Sequence, residues 1–150
     1  MDAHTGEIIW EYKFENVAYN ESVSGGVLSS PILGKQGTSM EGMIIYSVAR
    51  TPSASKGMLV ALDTQTGELI WEQELRYYAW SSPVAVYTDD GTGYFVQCDS
   101  QGKVALHEGL TGNVLNYVEI GFNIEASPAV FENTVVVGTR GGHVISFDLA

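Results

Sequence analysis

Of 150 residues, seven are Lys or Arg and eighteen are Asp or Glu, for a formal charge of −11. An anionic excess of this size repels phosphate backbones and anionic lipid, which argues against nucleic-acid binding. No apolar stretch reaches the ~18 residues needed to span a bilayer, and Cys98, as the single cysteine, allows no internal disulfide.

In chain order, the first landmark is Asp2-Ala3-His4-Thr5-Gly6, an acid followed by Thr and Gly. It introduces a predicted strand, Glu7 to Lys13, with Trp10 four places beyond Gly6. A long connection leads to Ser29-Ser30-Pro31, after which short apolar stretches predict strands at Pro31 to Leu33, Met43 to Ala49 and Met58 to Leu62. Asp63-Thr64-Gln65-Thr66-Gly67 then repeats the first landmark and introduces a strand from Glu68 to Leu75 that carries Trp71.

The same order returns after Ser81-Ser82-Pro83, with strands at Pro83 to Tyr87, Tyr94 to Cys98 and Lys103 to His107. The turn Glu108-Gly109-Leu110-Thr111-Gly112 follows, then a strand from Asn113 to Ile120 with Asn116 in the tryptophan place. A last round begins at Ala126-Ser127-Pro128 and predicts strands at Pro128 to Phe131, Thr134 to Thr139 and His143 to Phe147, ending on Asp148. From acid to acid the repeats are 61, 45 and 40 residues long.

An acidic side chain can accept hydrogen bonds from backbone amides just ahead of it, and Gly takes positive φ at little steric cost. Asp2, Asp63, Glu108 and Asp148 are therefore expected to build tight turns rather than to do chemistry. One repeat position recurs a whole unit away, whereas an acid and a base must share one substrate within hydrogen-bond reach. Four antiparallel strands per repeat, with no segment of helical period, predict an all-β fold: a partial β-propeller of about three four-stranded blades.

Ala61-x-Asp63-x-x-Thr66-Gly67-x-x-x-Trp71 resembles the tryptophan-docking motif of the PQQ-repeat, quinoprotein-like β-propellers. The resemblance implies that Trp10 and Trp71 stack on the neighbouring blade. The third copy departs from the motif, with Leu106 for Ala, Glu108 for Asp and Asn116 for Trp, although Gly112 is kept. One partial propeller domain over 1–150 is expected: an outer strand and long connection over 1–28, blades over 29–80 and 81–125, and an incomplete blade over 126–150. Such a chain reads as the C-terminal fragment of a larger ring. Its open ends could close a ring or drive self-association through exposed apolar faces.

Quinone-dependent members of the resembled family use a vicinal disulfide, a calcium ion with carboxylate and amide ligands, and an aromatic floor. One cysteine is present, and the calcium ligands map onto no matching position, so neither PQQ nor calcium is expected in this chain. His4, His107 and His143 fall at different motif places and show no metal-ligand spacing. Cys98, beside Val96 on a strand, reads as a partly buried thiol without a base.

Binding is left to the surface. The two long connections of the first repeat, Trp10 to Pro31 and Pro31 to Gly57, are expected at one end of the blades. Connections at that end carry Tyr19, Tyr77, Tyr78, Trp80 and Phe122 as a candidate contact surface. The expectation is a non-catalytic scaffold for a protein or peptide, or for cell-wall glycan, and the family resemblance implies an extracytoplasmic setting for it. The alternative is the C-terminal part of a quinone-dependent alcohol or sugar dehydrogenase.

Overall fold

A computed structural model describes residues 1–149. Among the described residues, eleven strands form three antiparallel sheets, and no helix is long and apolar enough to cross a membrane. The first sheet is β1 (Ile32–Leu33), β2 (Met43–Ala49), β3 (Gly57–Asp63) and β4 (Leu69–Leu75), hydrogen-bonded in that order. The second repeats it with β5 (Val84–Tyr87), β6 (Gly93–Cys98), β7 (Lys103–Glu108) and β8 (Val114–Glu119). The third has β9 (Ala129–Phe131), β10 (Thr134–Gly138) and β11 (Val144–Asp148). The architecture is a partial β-propeller of unclosed sheets, as the strand pattern predicts.

Acidic turns form at Asp2, Asp63 and Glu108, and the turn expected after Asp148 lies outside the described residues. Asp63 Oδ1 accepts the amides of Gln65 and Thr66, both at 2.8 Å, and Gly67 takes φ of 72°. Asp2 repeats the arrangement with His4 and Thr5, again at 2.8 Å. These amides, Thr66 and Thr5 foremost, hold the two carboxyls below the usual aspartate range. Glu108 is one methylene longer and accepts instead from the Thr111 hydroxyl at 2.6 Å, while the Gly112 amide still bonds the Glu108 carbonyl. A register shift precedes the turn in both complete sheets, at Ala61/Leu62 and at Leu106/His107. Asp148 ends β11 and accepts from the Thr134 hydroxyl at 3.2 Å.

The core lies between sheets. Residues alternate faces along each strand, so Ile45, Leu59 and Ala61 pack with Phe95 of the second sheet, while Val48, Val60 and Leu62 face the opposite way. A second layer, with Val96, Cys98, Val104, Val135 and Val137, joins the second and third sheets. Both tryptophans dock as the resemblance implies. Trp71 lies on Gly112 and donates to the Gly109 carbonyl at 3.2 Å, and Trp10 lies on Gly67 and donates to the Thr64 carbonyl at 3.1 Å.

One expected element does not form sheet. Glu7 to Lys13 carries no strand pairing, because no described inner strand lies beside it to take its backbone bonds. Its alternation survives in the packing: Trp10, Tyr12 and Phe14 cover the face made by Val48, Val60 and Leu62.

The repeated Ser-Pro landmark has a role that its position did not disclose. The Ser30 amide donates to the Ser82 hydroxyl, and the Ser82 amide to the Ser127 hydroxyl, each at 2.9 Å. Equivalent serines thus tie one inner strand to the next, and each sheet receives its neighbour in the same way.

Candidate functional site

The connection from an outer strand to the next inner strand, and the loop between the second and third strands of a sheet, meet at one end. The Ala18 amide bonds the Arg50 carbonyl at 2.8 Å, the Ser100 amide the Tyr78 carbonyl at 3.0 Å, and the Arg140 amide the Asn123 carbonyl at 2.9 Å. Each connection thereby rests on the adjacent loop, and both insertions of the first repeat lie together at this end. The segment around Val17 to Gly26 is also bridged to β2 through Gly26 and Ala49.

Arg50 anchors this end. It has φ of 59°, and its guanidinium sits 3.8 Å from the Tyr78 ring centre and 5.5 Å from that of Trp80. Its Nε donates to the Ser24 carbonyl at 3.1 Å and its Nη1 to the Ala54 carbonyl at 2.5 Å. A cation held over two aromatic faces while bonding two carbonyls ties the insertion to the blade. Its repeat position gave no sign of this, since the residues following the corresponding strands are Asp99 and Thr139.

The candidate contact residues are therefore divided. Tyr19 stands 77% exposed on the insertion, with Leu28 55% exposed after it. Tyr78 and Trp80 pack together at 5.3 Å and are half-buried beneath Arg50. Tyr77 carries the Arg76 guanidinium 5.3 Å from its ring centre. Phe122, on the next connection, is exposed and lies 4.5 Å from the His143 ring.

No three His, Cys, Asp or Glu side chains are arranged to hold a metal among the described residues. Cys98 is buried, and desolvation pushes its thiol up to about 12, which leaves almost no thiolate near neutrality. His107 stacks on Phe95 at 4.8 Å, and its Nδ1 donates to the Gly112 carbonyl at 2.8 Å. Burial lowers its pKa from 6.5 to about 4, so the ring is neutral and Nε2 is an acceptor.

This shift has a measurable consequence. Between pH 6.5 and about 4 the unfolded chain binds a proton that native His107 refuses. The stability this group allows above pH 6.5 is therefore lost as the pH falls toward 4. Urea denaturation of His107→Gln should show a flatter pH dependence over that interval than the parent. Equal slopes would remove His107 as the cause.

Among solved structures, the chain is similar to the C-terminal WD40 domain of Sif2, with a TM-score of 0.53 and 16% identity, covering 81% of this chain and 31% of that one. It is also similar to BamB from Moraxella catarrhalis, with a TM-score of 0.42 and 15% identity, covering 87% of this chain and 48% of that one. The chain thus spans less than half the length of either. No curated protein matches it. The family model described as outer membrane protein assembly factor BamB matches residues 1–150. The chain belongs to this PQQ-repeat β-propeller family.

Proposed function

We propose that this chain is a non-catalytic binding scaffold that holds a protein partner in an extracytoplasmic compartment. The observation that carries the reading is the elaborated end: an insertion pinned by Arg50 presents Tyr19 and Leu28 to solvent while its backbone is tied to β2. Rigid aromatic and aliphatic groups on an anchored loop bind with little loss of conformational entropy. Tyr78 and Trp80 support the platform, whereas Tyr19, Leu28 and Phe122 supply the contact surface.

The family's description as an outer membrane protein assembly factor supports both a protein partner and the extracytoplasmic setting. The reading assigns no role to PQQ or calcium.

A photoreactive amino acid at position 19, in the full-length protein expressed in its own cells, tests the reading. A discrete crosslinked protein is expected from position 19 and not from Phe131, which is equally exposed at 77% but lies on the third sheet. Equal labelling from both positions, or none from position 19, would reject the elaborated end as the contact face.

A further inference from the structure

Between the first and second sheets, a cleft runs from the docked Trp71 toward the elaborated end. Trp71 and Gln73 close its outer part, where the Gln73 amide donates to the Thr111 carbonyl at 3.1 Å. Farther along, Leu75 of the first sheet and Ala105 of the second border the gap. A cavity of about 210 Å³ results, lined by Leu75, Ala105, Val114, Gln97 and His107. It adjoins a second space of about 340 Å³ toward Tyr77 and Tyr117, and Arg76, Asp99 and Lys103 border both.

Two kinds of unsatisfied group belong to residues that line this space. The first is a pair of buried acceptors. Gln97 spends its amide hydrogens on the Ser81 and Cys98 carbonyls, at 3.0 and 2.7 Å, which leaves Oε1 without a partner. His107 Nε2 has none either, and both residues are only 2% exposed. A buried polar atom without a partner is uncommon in a native fold and points to a missing donor.

The second is a pair of cations. Arg76 and Lys103 form no ion pair or side-chain hydrogen bond among the described residues, and each lies over a tyrosine, at 5.3 Å from Tyr77 and 4.3 Å from Tyr117. The neighbouring carboxylates are largely engaged elsewhere. Glu74 pairs with Lys56, and Asp99 accepts the amides of Gln101 and Lys103 at 2.9 and 3.1 Å, leaving Glu119 at the rim. Arg76 and Lys103 thus stand at one mouth as cations without a direct ion-pair partner.

We propose that this cleft binds a carboxylate borne on a compact apolar body with an N–H or O–H donor beside it. Arg76 and Lys103 take the carboxylate, Leu75, Ala105 and Val114 take the apolar body, and Gln97 and His107 accept from the donor. This is the chemistry of the C-terminal residue of a peptide, or of a free N-acylated amino acid. The site is separate from the Tyr19 surface and does not depend on it.

The test is titration of the protein with N-acetyl-leucine, followed by NMR at the methyl groups of Leu75, Ala105 and Val114 and by calorimetry. Saturable shifts at these methyls are expected, with a Kd of about 0.1–1 mM for a ligand of this size. N-acetyl-leucinamide, which lacks the carboxylate, and acetate, which lacks the apolar body, should each bind at least about tenfold more weakly, the loss expected of one charge-assisted contact or one buried side chain.

Arg76→Gln and Lys103→Gln should each weaken N-acetyl-leucine by a similar factor with the melting temperature unchanged, while Lys35→Gln, remote from the cleft, should bind as the parent does. A peptide ending in Leu, compared with its C-terminal amide and with N-acetyl-leucine, separates the two sources: tighter binding by the free-acid peptide identifies a chain terminus, and equal binding identifies the free acid. Equal affinity for N-acetyl-leucine and its amide, unchanged binding by both Gln variants, or no saturable shift at all would leave a cavity filled by water only and overturn the proposal.

Discussion

Met40→Ala is expected to destabilise the protein by about 2–5 kcal/mol, the range for truncating a fully buried large side chain. Met40 lies on the loop between β1 and β2, yet it has no exposed surface and belongs to the core between the first two sheets. Its Sδ and Cγ lie over Gly93 and Gly109, within 2.6 Å of where a Cβ would stand on either residue. The same loop is bonded across the gap, since the Ser39 amide donates to the Gly91 carbonyl at 2.9 Å and the Gly93 amide to the Ser39 hydroxyl at 2.8 Å. Met40 is thus a latch from the first sheet into the second.

Equilibrium urea denaturation should show the full loss, whereas Met40→Leu, which conserves volume, should cost less than about 1.5 kcal/mol. Gly93→Ala should destabilise in the same direction, because a methyl group there meets the methionine tail. A loss below about 1 kcal/mol for Met40→Ala would mean that the loop collapses into the vacancy and that the latch is dispensable.

Trp71→Ala is the second large effect, expected at about 3–5 kcal/mol. The indole is stacked 6.1 Å from Phe95, bonds the Gly109 carbonyl and covers Gly112, so its removal opens the outer edge of the first core layer. Gly112→Ala should also destabilise, for two reasons that act together. Gly112 has φ of 73°, which disfavours any Cβ, and that Cβ would stand 2.6 Å from the Trp71 ring.

Trp10→Ala makes a useful comparison. Trp10 meets Gly67 with the same geometry, but it closes a segment that has no sheet behind it. Local release of that segment is expected, with faster amide exchange at Val48, Val60 and Leu62 and a smaller change in the global transition. If Trp10→Ala proved as costly as Trp71→Ala, the segment before β1 would have to be part of the cooperative core.

The strands and turns were legible because they are local. Short apolar stretches of strand length mark Met43 to Ala49 and Tyr94 to Cys98, which are buried on both faces, and an acid with Thr and Gly after it can close a turn from its own amides, as Asp63 does. The resemblance implied that Trp10 and Trp71 stack on the neighbouring blade, and the structure adds the turns they reach, at Gly67 and Gly112. The expected strand from Glu7 to Lys13 failed because a strand needs a partner, and its own residues cannot supply one.

The amino-acid sequence by itself determined the all-β class, the repeat order, the acidic turns and the end at which the insertions gather. Only the tertiary structure decided that Met40 latches two sheets, that serines link the inner strands, that Arg50 covers Tyr78 and Trp80, and that Gln97 and His107 face one cleft with Arg76 and Lys103. The physical reason is one of range. Alternation and turn chemistry act over two to five residues, whereas those contacts join residues tens of positions apart. They exist only once the sheets have stacked at a particular separation and twist.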